Sequence, residues 1–213
     1  MSNNTGGNKT ETGGWINHAG VHLALMGIVM AFLFMDSFRE GFVTFSNDSP
    51  LGGQVAQWDQ LLSNLGGSWQ PLNWFGNETI SNRPTISILI GLVMQSAIVS
   101  QKFFTPLALW LLGGCAYFCF RQLGFRAPVC FLAGLAAMLN MNAFSNACWG
   151  LPYWQISRAM AFMAFGLVAC KKIRKPWIRF VLAGACIGLG VMEGYDIGAI
   201  FSVFVAALVF AYL

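Results

Sequence analysis

The sequence is short of charge. Only 9% of its 213 residues are Asp, Glu, Lys or Arg, against 56% that are hydrophobic. A soluble domain carries about 25% charged residues, so too little charge is present to solvate a globular surface. This excludes a soluble domain and a disordered chain. It also excludes a nucleic-acid-binding domain, whose basic face needs many more Lys and Arg. Acid is scarcer still, and no Asp or Glu lies between Glu78 and Glu193. Walker, GxSxG and HExxH patterns are missing, so the common nucleotide, serine-hydrolase and metalloprotease signatures do not apply. The six cysteines include no CxxC pair, which leaves no basis for a disulfide framework or zinc site; they read as small hydrophobes inside helices. A basic leader with a small-residue cleavage site is also missing, so the first apolar run is expected to stay as an anchor.

What is present is long apolar text. Mean hydropathy is +0.61, and the apolar runs lack in–out alternation. In lipid only helices and closed barrels satisfy the backbone, and unbroken apolar runs favour helices. The expected fold is therefore all-α: a polytopic membrane helix bundle with about six spans. Residues 1–19 form a polar, disordered tail and 20–213 the transmembrane domain. Spans are expected near Val21–Phe38, Phe103–Phe120, Pro128–Asn146, Tyr153–Cys170, Trp177–Met192 and Ile197–Leu213. The segment 39–83 is a long external loop carrying Trp58, Trp69 and Trp74. Tryptophans beside a span favour the headgroup layer, so this loop is expected to lie on the membrane, with a short amphipathic helix over Gln54–Leu65. Loops of this length are usually functional.

The stretch Thr85–Ser100 is only about 16 residues long and contains Gln95 and serines, which is short for a span. The positive-inside rule decides its path. If it does not cross, Arg121 and Arg126 lie on the same cytoplasmic side as Lys171, Lys172, Arg174 and Lys175. An interfacial or re-entrant helix over 84–100 follows, with the N-terminus cytoplasmic and the chain in the cell's inner (cytoplasmic) membrane. The loop 39–83, the turn Asn146–Gln155 and the segment Met192–Asp196 then share the external face. The final apolar run ends at Leu213 with no polar flank, as in the front of a longer protein or a chain covered by a larger complex.

Few residues could carry chemistry in such a chain. Asp48, between Asn47 and Ser49-Pro50, reads as a general base or metal ligand, or as a turn-forming Asx residue. Glu193 and Asp196 stand at i and i+3 between two apolar runs; they read as the edge of a polar cavity, with a possible divalent metal ion, or as an ordinary turn. Asp36 reads as a boundary residue of the first span. Arg158 lies inside an apolar run, where charged groups rarely face lipid. It could pair with Glu193 or Asp196, hold a phosphate as a fork-shaped donor, or snorkel. His18 and His22 share a helix face at i, i+4, a spacing that serves a metal, a tetrapyrrole or interfacial hydrogen bonding.

The loop resembles the opening of YfhO-type bacterial membrane proteins of the GT-C glycosyltransferase superfamily. The resemblance rests on Asp48-Ser49-Pro50-Leu51, on Gln57-Trp58-Asp59 and on Gly67-Ser68-Trp69-Gln70-Pro71-Leu72-Asn73-Trp74-Phe75-Gly76-Asn77. Tyr117-Phe118-Cys119-Phe120-Arg121-Gln122-Leu123-Gly124 is similar to that family's cytoplasmic turn. It covers about residues 20–170. It implies an external acidic residue that activates an acceptor or holds a metal, here Asp48 first and Asp36 second. It also implies a polyisoprenyl-phosphate sugar donor, with Arg158 at its phosphate. Trp58, Trp74, Glu193 and Asp196 complete the candidate substrate surface. GT-C enzymes have more spans than this chain holds. The alternative is a non-catalytic accessory subunit packed by its small residues against a larger membrane complex. A transporter or pigment-binding subunit using His18 and His22 is a third reading. Membrane lipid is the expected surrounding partner.

Overall fold

The computed structural model describes residues 18–43, 85–94 and 96–212, and within the first loop positions 52, 55, 58, 69–70 and 77–78. Eight helices form the described body. They are α1 (Ala19–Leu33), α2 (Ile86–Met94), α3 (Ala97–Gln122), α4 (Ala127–Leu139), α5 (Met141–Cys148), α6 (Pro152–Ala169), α7 (Pro176–Glu193) and α8 (Tyr195–Tyr212). A two-stranded antiparallel ladder pairs β1 (Trp69–Gln70) with β2 (Asn77–Glu78). Backbone is helical at Gly52, Val55 and Trp58; the last two fall in the stretch Gln54–Leu65, whose other residues lie outside the described ones.

The bundle is apolar outside and polar in places inside. Phe210 is 87% exposed and Val203 69%, while His22, Gln101, Thr105, Gln155, Ser157 and Glu193 are buried. This reverses the partition of a soluble protein and suits a hydrocarbon surround. Two helices, α3 with 26 residues and α7 with 18, are long and apolar enough to cross a membrane. The α4–α5 pair adds a third if taken as one span bent by 46°.

Helix α6 is the centre. Its most extensive contacts are with α3 on one side and α7 on the other. Three apolar clusters run across the bundle in order. Met26, Met30, Leu109 and Met138 join α1, α3 and α4. Leu112, Cys115, Ala159 and Met160 join α3 to α6. Ala164, Ala183 and Val205 join α6, α7 and α8. A bond from Trp110 Nε1 to Leu23 O (2.9 Å) pins α1 to α3. Helices α3 and α6 run in the same direction, since Phe104 meets Tyr153, Leu112 meets Ala159 and Gly166 meets Cys119. The α3–α4 turn needs Gly124, whose φ of 94° disfavours a side chain.

Three expectations are corrected. Thr85–Ser100 is not one helix: it breaks at Gln95–Ser96, where Ser96 is extended (φ −156°), and its last residues belong to α3. Ser87 and Phe104 would stand about 25 Å apart on a straight helix, yet they line one cavity. The chain therefore reverses at the break, and α2 starts and ends in the same half of the bundle. The run Pro128–Asn146 is also broken. Asn140 turns its side chain back to accept from Asn142 N and Ala143 N, capping α5 and ending α4. The first span is shorter than expected, because α1 gives way at Leu33 to a 3₁₀ turn over Met35–Phe38.

Candidate functional site

Two polar places interrupt the apolar interior. The first is the elbow between α7 and α8. Glu193 ends α7 and is only 6% exposed. Its carboxylate accepts from Ser87 N (2.7 Å) and from Ser87 Oγ (2.5 Å). The N–H of Ile86, in the same first turn of α2, faces the same carboxylate. Thr85 Oγ1 accepts from Ile88 N (3.2 Å). The free donors at the start of α2 are thus met by one hydroxyl and one carboxylate, and the negative charge sits at the positive end of a helix. Close backbone contact makes the elbow: Ser157 Oγ donates to Gly190 O (2.7 Å), and a Cβ at Gly198 would collide with Gly190 O.

Beside this elbow lies a cavity of about 450 Å³. Its walls include Ser87, Phe104, Tyr153, Trp154, Glu193 and Asp196. Glu193 and Asp196 share this wall across the helix break at Gly194, not as the i, i+3 face of one continuing helix. Their states differ, however. Glu193 is saturated by α2, and Asp196 is exposed in the first turn of α8.

The second place is Arg158 on α6. Sequence reading offered Glu193 or Asp196 as its partners. The structure gives it neither. Ser157 faces Gly190, and the next residue on a helix is turned about 100° away, so Arg158 leaves the elbow. Its Nη1 donates to Gln155 Oε1 (2.9 Å) and its Nη2 to Asn142 Oδ1 (2.7 Å). Asn142 Oδ1 also accepts from Asn146 Nδ2 (3.2 Å). Among the described residues no carboxylate pairs with this guanidinium; the one ion pair is Arg39–Asp36 at 3.2 Å, between exposed side chains.

Arg158 lines two cavities. One, of about 350 Å³, is bounded by Asn140, Asn142 and Phe201 where α4 breaks into α5. The other, of about 430 Å³, runs along α3, α6 and α8 between Phe120, Phe162, Phe165, Phe201 and Phe204. It reaches from Arg158 to Leu123 at the far end of α3. It is a groove with aromatic, almost wholly apolar walls to which Arg158 gives its aliphatic stem, while the guanidinium turns to Gln155 and to Asn142 on the smaller cavity.

The remaining candidates fall outside these places. Asp36 sits in its ion pair with Arg39. Trp58 is half-buried on a helical position of the loop. Asp48 and Trp74 lie outside the described residues. His22 is buried and its Nδ1 lies 3.3 Å from Tyr117 Oη, whereas His18 is exposed before α1. No group of three His, Cys, Asp or Glu that could hold a metal occurs among the described residues, and the six cysteines are free thiols. Sequence reasoning missed Ser87, Asn142 and Gln155. The Asn140-Met-Asn142 pattern inside an apolar run was a usable signal for the second.

Fold and sites together define a predominantly helical bundle of membrane type with a half-buried arginine beside an apolar groove. No family model, curated protein or solved structure matches the chain.

Proposed function

We propose that the chain is a GT-C-like integral-membrane glycosyltransferase, or the front part of one, that takes its sugar from a polyisoprenyl-phosphate donor. The observation that carries this reading is Arg158: a half-buried guanidinium held by two amide oxygens and, among the described residues, by no carboxylate, on the wall of the Asn140–Asn142 cavity, with its stem against a phenylalanine-lined groove. A phosphate supplies the missing negative charge, and an isoprenoid chain fills an apolar, lengthwise slot. Asn142 positions the guanidinium fork. In the reaction, Asp48 takes the proton of the acceptor hydroxyl. The acceptor oxygen forms a bond to the anomeric carbon, the carbon–oxygen bond to phosphate breaks, and the lipid phosphate leaves with the electron pair.

The topology that goes with this reading has six crossings: α1, α3, α4 with α5, α6, α7 and α8. The basic turns after α3 and α6 are cytoplasmic, and so is the N-terminus. Helix α2 is then re-entrant from the external face of the inner membrane, which agrees with its reversal at Gln95–Ser96.

Transfer from a radiolabelled lipid-phosphate sugar tests the proposal. Asp48→Asn should abolish transfer, and Arg158→Gln should weaken donor binding by about tenfold or more. Transfer that survives Asp48→Asn removes the mechanism. The accessory-subunit reading has one observation in its favour: Gly184 and Gly188 present a small-xxx-small face on α7 where, among the described residues, nothing lies within 4 Å of an added Cβ. Copurification with a large complex in fixed stoichiometry, without lipid-linked sugar, would favour that reading.

A further inference from the structure

The cavity at the elbow has the opposite electrostatics from the Arg158 groove. Phe104, Tyr153, Trp154 and Tyr195 surround a space that, among the described residues, no Lys, Arg or His lines. Its two carboxylates are unequal. Glu193 spends both oxygens on the start of α2, whereas Asp196 makes no hydrogen bond or ion pair among the described residues. Nearby cations are engaged elsewhere: Lys102 Nζ donates to Arg39 O (2.7 Å), and Arg39 pairs with Asp36. Trp154 is fixed in place, since its ring packs on Gly194, where an added Cβ would lie 3.3 Å from Cδ1. Ring faces carry negative potential, and an aromatic wall with one uncompensated carboxylate attracts a cation of organic size. The donor side chains there, Ser87, Thr85, Trp154 and the two tyrosines, are all neutral, so an anion would meet two carboxylates with no cation among the described lining residues to offset them.

We propose that this elbow cavity binds an organic ammonium group, with Asp196 as the counter-charge and Trp154 and the two tyrosines as the cage. The ammonium belongs either to a soluble amine or to the headgroup of an aminophospholipid. This assignment is independent of the donor reading at Arg158.

The test uses the full chain in phosphatidylglycerol nanodiscs, titrated with choline chloride while tryptophan fluorescence is followed. Sodium chloride at matched ionic strength is the control. A saturable response with Kd on the order of millimolar is expected. Asp196→Asn should raise that Kd about tenfold, Trp154→Phe should remove most of the signal, and Glu40→Gln should leave both unchanged. Isothermal titration of Trp154→Phe reads binding without the optical probe, and weakening by several-fold is expected. Adding phosphatidylethanolamine to the discs separates the sources. A higher apparent choline Kd assigns the cavity to the lipid headgroup, and an unchanged one to a soluble amine. An equal response to sodium chloride, an unchanged Kd in Asp196→Asn, or saturation by magnesium or maltose in place of choline would overturn the proposal.

Discussion

Glu193 and Arg158 are both charged and both held by hydrogen bonds in the bundle, Glu193 buried and Arg158 half-buried, yet their environments differ. The elbow supplies Glu193 with two hydrogen bonds from Ser87 at the positive end of α2. Its charge is consumed in holding α2 against α7. The groove gives Arg158 only the amide oxygens of Gln155 and Asn142, which align the fork but leave its charge standing. Charge inside a membrane protein is costly unless it is paired or serves a ligand. A compensated charge therefore marks architecture, and an uncompensated one beside a cavity marks a binding site. If this contrast holds, substitutions at the elbow cost stability, and substitutions in the groove cost binding while leaving stability almost untouched.

The largest effect belongs to Gly198→Val. The backbone of α8 lies so close to Gly190 that a Cβ cannot fit without parting the two helices. A loss of about 3 kcal/mol or more is expected, the size seen for overpacking a tight contact. Thermal unfolding in nanodiscs measures it, and an unchanged midpoint would mean that the elbow is not a fixed joint. Next comes Glu193→Ala, which leaves Ser87 N–H and its hydroxyl without their acceptor. About 2–3 kcal/mol is expected, because each lost partner strands a half-buried donor. Glu193→Gln keeps an acceptor oxygen and should recover part of that loss. Spin labels on α2 and α7 should report a broader distance distribution in the alanine variant than in the glutamine variant.

The contrast also shows what the sequence could reveal. Apolar runs located α1, α6, α7 and α8, because in a lipid-facing bundle the helix signal is simply length without charge. The carboxylates near Glu193 and the charge at Arg158 were equally visible. Their partners were not. Ser87 meets Glu193 across 106 residues, a distance on which periodicity is silent. Arg158 seemed made for Glu193, since opposite charges at one depth invite pairing. Helix rotation decides otherwise: Ser157 takes the face toward Gly190 and turns Arg158 away. The two broken helices were hidden for a local reason. Asn140 and Ser96 sit in text whose mean hydropathy is that of a continuous span, and a single side chain bonding its own backbone outweighs the average at Asn140. Asp48 and Trp74 of the first loop lie outside the described residues.

A smaller effect sharpens the comparison from the α6 side. Ser157→Ala removes the bond to Gly190 O, which is already a helical carbonyl. About 1 kcal/mol is expected, the usual worth of an interhelical hydroxyl bond in a membrane bundle. The midpoint should fall less than in Glu193→Ala, with no change in the response to lipid phosphate.

The smallest stability effect, and the sharpest test of the contrast, is Arg158→Met. Methionine keeps the length of the stem and loses the charge. If the guanidinium were a structural partner, its removal would be costly: breaking a buried pair destabilises by about 3–5 kcal/mol because the other charge is stranded. Arg158 strands no charge. Its loss frees two amide oxygens, of which Asn142 Oδ1 keeps its bond from Asn146 Nδ2, and it also removes the cost of holding a cation inside the bundle. These terms oppose each other, so the midpoint should move by less than about 1 kcal/mol in either direction. Binding should behave differently. Retention of a short-chain polyisoprenyl phosphate, measured by native mass spectrometry, should drop by about tenfold or more, while retention of the neutral polyisoprenol should stay the same, since the phenylalanine walls are intact. A large loss of stability would make Arg158 a second Glu193, and equal loss of both lipids would mean that the groove does not read the phosphate.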